Sequence, residues 1–145
     1  MTRINRIGPC ALFSVAICLV LCETTRAEVV AVVSSKNPVT SLSHAQVADI
    51  FLGKTARFPD GTVAVPIDQA EGSAARDEFY ATFAGKSPVQ VKSHWTKIIF
   101  TGRGQPPRAV SNGTEVRQLI AANSQAISYI ERSAVDSSVK ILVQP

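Results

Sequence analysis

The chain has 145 residues, 46% hydrophobic and 18% charged, which supplies one ordinary hydrophobic core and leaves too little for two domains. Its formal net charge of +4 is partly carried by the first residues; beyond position 27 twelve basic side chains face ten acidic ones. A balance that close to neutral excludes a broad nucleic-acid surface, so any preference for anions must come from where the cations sit.

Residues 1–27 read as an export signal. Arg3 and Arg6 give the positive start, Ala11 to Leu21 form the apolar stretch, and Thr25-Arg26-Ala27 offers small residues at the cleavage positions. The expected cut follows Ala27, leaving a domain over 28–145. The apolar stretch is too short to span a bilayer comfortably. Leu21 is too bulky to precede a lipidated Cys22. Cys10, Cys18 and Cys22 all leave with the signal, so the exported domain is expected to rely on its core, without disulfides or thiol chemistry.

Glu28 to Val33 is a β-branched apolar run, the pattern of a strand buried on both faces. Ser43 and Gln46 make a capping box for a helix that buries Val47, Ile50 and Phe51 and stops at Gly53. Phe58-Pro59-Asp60-Gly61 is turn chemistry, and Thr62 to Ile67 reads as the next strand. A helix is expected from Ser73 to Phe83 with Phe79, Tyr80 and Phe83 inward and Gly85 at its end. Ser87-Pro88 opens another, with Val91, Trp95, Ile98 and Ile99 as its buried stripe.

Thr101 to Arg108, with two glycines and two prolines, reads as a loop. Asn112-Gly113-Thr114-Glu115 opens the last long helix, with Val116, Leu119 and Ile120 inward. Ala126 to Ile130 and Val139 to Val143 read as strands. Strands alternating with helices predict an α/β layer fold with a largely parallel sheet.

The chemistry concentrates where the strand ending at Ile67 leads through Asp68-Gln69-Ala70-Glu71-Gly72 to a helix starting at Ser73. Free N–H groups at a helix start, the positive end of its dipole, a hydroxyl and the Arg76 guanidinium can converge on one oxyanion. The plainer reading of the same residues is that Ser73 only caps the helix and Arg76 pairs with a surface carboxylate. Arg103 and Arg108 in the glycine-proline loop form a second candidate, and Ser34 and Ser35 after the first strand could add hydroxyls.

Ile50-Phe51-Leu52-Gly53-Lys54 and the later Gly72-Ser73 resemble the phosphate-binding periplasmic proteins of ABC transporters. In that family an Ile-Phe-x-Gly-Lys-x-x-x-Trp segment leads through a strand to an Arg-Ser-Asp-Gly-Ser-Gly-Thr phosphate loop. Ala126-Ile127-Ser128-Tyr129-Ile130 stands where the family has Ala-Ile-Gly-Tyr. The resemblance implies a single three-layer periplasmic-binding-protein-like lobe, with the family's other lobe missing. It implies phosphate or a similar oxyanion as ligand, no cofactor, a periplasmic location, and an ABC permease or a membrane sensor as partner. A single lobe points to a monomer or weak dimer. Carried across residue by residue, Gly72 and Ser73 match the loop's Gly-Ser and Ala74 and Ala75 replace its Gly-Thr. Gln69 stands at its arginine and Glu71 at its aspartate, and Arg76 follows as in many relatives.

Enzymatic readings find little support. His44 and His94 have no nucleophile or metal-ligand cluster near them in sequence, and Asp68 with Glu71 is a weak acid–base pair. Two functions therefore stand: an exported oxyanion-binding domain, or a sensing or protein-interaction module that kept the fold and lost the ligand.

Overall fold

The computed structural model describes residues 27–142, so the expected export signal and its cysteines lie outside the described residues. The elements follow in the order β1 (Val29–Ser34), α1 (His44–Phe51), β2 (Val65–Gln69), α2 (Ala74–Phe79), a π-helical turn (Tyr80–Ala84), α3 (Pro88–Phe100), β3 (Arg108–Val110), α4 (Gly113–Ala122), β4 (Ala126–Glu131) and β5 (Val139–Ile141). The five strands form one sheet in the order β3-β2-β4-β1-β5. β2 runs parallel to β3 and to β4, while β1 is antiparallel to both β4 and β5. Four strands thus point one way and β1 alone points the other.

The β1 run sorts its side chains by strand alternation. Ala31 and Val33 join a core under α1, α2 and α3 that includes Phe51, Phe79, Tyr129 and Trp95. Val30 and Val32 face the opposite core with Val116 and Ile120 of α4. The fold is therefore an α/β sandwich of three layers, and β1 is buried along its whole length.

The expected caps form. Gln46 N–H donates to Ser43 Oγ at 3.1 Å and Ser43 N–H to Gln46 Oε1 at 2.9 Å. Ser87 and Gln90 repeat the reciprocal pair at the start of α3. Three expectations need correction. β2 starts and ends later than Thr62–Ile67: Val63 pairs instead with Arg57 in an isolated antiparallel bridge, and the buried register of β2 continues through Asp68 and Gln69. The segment read as loop up to Arg108 ends in a strand: Arg108 to Val110 pair with Ile67 to Gln69 at the sheet edge. Ile99 is 47% exposed rather than part of the buried stripe of α3.

The π-helical turn also had no sequence signal. Its wider winding lets the adjacent Phe79 and Tyr80 and then Phe83 all turn inward.

Gly53 shows why the Ile-Phe-Leu-Gly-Lys segment needs its glycine. Its φ is 73°, and a Cβ there would lie 2.8 Å from Cη2 of the buried Trp95 ring. Gly53→Ala is expected to lower unfolding free energy by about 2–4 kcal/mol, combining the positive-φ penalty with overpacking. Urea denaturation reads this directly. A loss below about 0.5 kcal/mol would mean that the Trp95 ring moves aside freely.

Candidate functional site

Because β2 extends to Gln69, it carries a carboxylate into the interior. Asp68 is 3% and Gln69 5% exposed. A buried ionised carboxylate needs partners on all sides, and Asp68 has four. Its Oδ1 accepts the Gln69 backbone N–H at 2.8 Å and the Tyr129 hydroxyl. Its Oδ2 accepts the Tyr80 hydroxyl at 2.8 Å and Arg76 Nε–H at 3.3 Å. Four elements or turns supply this cluster: the end of β2, the first turn of α2, the start of the π turn, and the middle of β4.

The Arg76 side chain is only 13% exposed, and its Cζ lies 5.1 Å from the centroid of the Tyr80 ring. Burial alone would lower its pKa, but the Asp68 charge and the neighbouring phenols outweigh this and hold it above the ordinary arginine value. Burial first, and the adjacent Asp68 charge second, push both Tyr80 and Tyr129 far above the normal phenol range. Both hydroxyls therefore remain protonated and donate to the carboxylate. The cluster is a buried, internally compensated ion pair.

From Gln69 the chain turns through Ala70, Glu71 and Gly72. Gly72 has φ 89°, and Ser73 N–H donates back to Ala70 O at 3.1 Å. Ser73 caps α2: its Oγ accepts Arg76 N–H at 3.1 Å and its carbonyl accepts Asp77 N–H. The helix start thus retains the Ala74 and Ala75 amides as donors without an intrahelical acceptor. Glu71 leans outward to Lys92 at 3.2 Å, a pair exposed on both sides.

The structure brings Gln69 and Gly72 through Arg76 to one edge of the sheet, at the carboxyl ends of β2 and β4. Gln69 and Ala75 share a cavity of about 240 Å³ with Gly113, Thr114 and Arg117 at the start of α4. Ser34 is not there. Because β1 is antiparallel, its end lies at the opposite edge, where Ser34 pairs with Val139 and its Oγ accepts Lys36 N–H; Ser35 follows beside Ser138. Arg103 is not there either. It precedes Gln105 to Pro107, which line a cavity with Ala64 and Pro66 at the beginning of β2. Arg108 opens β3, exposed at the sheet edge.

The plainer reading of the residues is half realised: Ser73 is a cap, but the partner of Arg76 is a buried carboxylate instead of a surface one. Asp68, Tyr80 and Tyr129 are the site residues that pattern reading missed as a group. One signal was available. These are the only two tyrosines of the chain, both in apolar runs, and a buried phenol needs an acceptor.

The two histidines have structural surroundings. His94 Nε2 lies 2.8 Å from Leu52 O, and His44 packs edge-on against Phe83. Among the described residues no cluster of three His, Cys, Asp or Glu could hold a metal ion, and no helix is long and apolar enough to cross a membrane.

Solved structures that share this fold include proteins described as phosphate-binding transport proteins. A Clostridium perfringens protein assigned as a phosphate ABC transporter substrate-binding protein, solved with phosphate bound, superposes with a TM-score of 0.63 at 23% identity. An ABC-type phosphate transport receptor from Vibrio cholerae gives 0.61 at 21%, and PstS from Borrelia burgdorferi 0.53 at 13%. Each alignment covers 79% of this chain but only 43–46% of the other. The chain thus spans less than half the length of these proteins, and at these identities the likeness establishes the fold. No protein-family model and no curated protein matches the sequence.

Proposed function

We propose that this is an exported oxyanion-binding domain of the phosphate-binding-protein type, holding phosphate or a similar anion at the start of α2. The observation that carries the reading is the pair of amides of Ala74 and Ala75, without an intrahelical acceptor, in the same helical turn as Arg76, whose guanidinium is fixed by Asp68. Helix-start amides and an oriented guanidinium are matched to a tetrahedral anion. A periplasmic location and an ABC permease as partner belong to the same proposal, which the fold likeness to phosphate transport proteins supports. Affinity is expected to be modest, because Asp68 neutralises the charge of Arg76.

That same ion pair favours a second reading, a sensing or interaction module that kept the fold and lost its ligand. With Asp68 on the guanidinium, the helix start offers dipoles and almost no net positive charge.

Thermal melting with and without millimolar phosphate, against a matched chloride control, separates the two. On the first reading phosphate raises the melting temperature of the wild type by mass action. Arg76→Ala abolishes the shift, while Ser73→Ala loses about 1 kcal/mol of stability as a lost cap and keeps most of the shift. No phosphate shift in the wild type selects the module. An equal shift in wild type and Arg76→Ala removes that arginine from the site.

A further inference from the structure

Charge is distributed unevenly along the chain. From Lys86 to Arg108 there are five basic residues and no acidic one, whereas the rest of the chain from Glu28 onward has seven basic and ten acidic. Apolar exposure follows the same segment. Of the five large hydrophobic side chains exposed among the described residues, Val89 at 73%, Ile99 at 47% and Phe100 at 92% belong to α3.

The inner face of α3 buries Val91 and Trp95 and fixes the helix to the core. Its outer face carries an open groove of about 570 Å³ between Val89 and Phe100, floored by Ser93 and Thr96 and edged by Lys92 and Lys97. The two apolar ends are eleven residues apart, about 16 Å along the helix. Arg103 follows Phe100 by three positions, after the turn at Gly102. Lys92 reaches Glu71, but among the described residues Lys97 and Arg103 are in no ion pair.

We propose that this face of α3 docks an acidic, amphipathic segment of a partner protein, with apolar side chains seated between Val89 and Phe100 and carboxylates against Lys92 and Lys97. Charge complementarity selects the partner. A second copy docking face to face would set lysine against lysine, since α3 has no acidic residue. Phe100, 92% exposed at the end of a lysine-edged groove, is the kind of aromatic anchor on which interface energy concentrates. The proposal stands independently of oxyanion binding at α2.

The test is selection of a random peptide library on the purified protein, followed by binding measurements on Phe100→Ser and Lys97→Glu. Recovered peptides are expected to combine Asp or Glu with apolar residues at helical spacing. Their binding should weaken with salt and drop roughly tenfold or more in each variant. Both substitutions alter exposed side chains, and unchanged melting curves verify that the variants fold. Peptides without acidic bias, or peptides that bind the variants as well as the wild type, overturn the proposal. So does wild-type binding to vesicles containing anionic lipid that Phe100→Ser abolishes, which assigns the face to a bilayer. Concentration-dependent self-association lost in either variant assigns it instead to a second copy.

Discussion

Asp68→Asn is expected to cost about 3–5 kcal/mol of folding stability, a large share of what a domain of this size possesses. The amide keeps the shape of the carboxylate but loses its charge and half of its acceptor capacity. Arg76, with its side chain 13% exposed, is then left without a counter-charge, and one of the Tyr80 and Tyr129 hydroxyls loses its acceptor. Removing the stranded cation as well should recover part of the loss. Asp68→Asn with Arg76→Met is therefore expected to be more stable than Asp68→Asn alone, the non-additivity that marks a coupled pair. Denaturant titration of the wild type, Asp68→Asn, Arg76→Met and the double variant gives the coupling energy. Additive losses would show that the two side chains contribute separately and that the pair is no unit.

The second large effect appears at alkaline pH. Tyr80 and Tyr129 have native pKa values raised well above the ordinary 10.0, by burial and by the Asp68 charge, whereas in the unfolded chain they ionise near that value. Above pH 10 the unfolded state therefore loses protons that the native state retains. Stability is fully present below pH 10 and declines above it, by about 1.4 kcal/mol per pH unit for each tyrosine. Since these are the only tyrosines, phenolate absorbance reports on this cluster alone. It is expected to stay flat through the normal phenol range and then rise together with the loss of helical circular dichroism. Titration of either tyrosine near pH 10 in a protein that is still folded would place that hydroxyl in water and contradict the buried network.

Local signals explain why much of the fold was legible. The boxes Ser43–Gln46 and Ser87–Gln90 satisfy backbone donors from within four residues, so their effect needs no tertiary information. The run Val29 to Val33 could only be a strand buried on both faces. What was not legible depends on partners far away in the chain. β3 is a strand because Arg108 to Val110 find the edge of β2, and nothing in their own composition announces it. The reversed direction of β1 is set by pairing with β4, and it carries Ser34 away from the edge where a parallel strand would have left it. The candidate site divides in the same way. The cap at Ser73 is written in adjacent residues, but the fate of Arg76 depends on Asp68 eight residues earlier and on Tyr129 across the sheet. A cation in a first helical turn reads as free until the fold supplies its counter-ion.

The placement of β1 has a consequence for the order in which the molecule is made. Its neighbours are β4 and β5, so Val29 waits for Glu131 and Val32 for Ile141, and the Glu28–Arg132 ion pair spans a similar distance. A nascent chain emerging amino end first cannot pair its first strand until nearly the whole domain has been synthesised. Such long-range pairing is slow to nucleate, because loop closure must precede any reward from contacts. Ribosome-bound chains truncated before Ala126 are thus left with an apolar, unpaired β1, a binding target for chaperones, and competence to fold arrives in one late step.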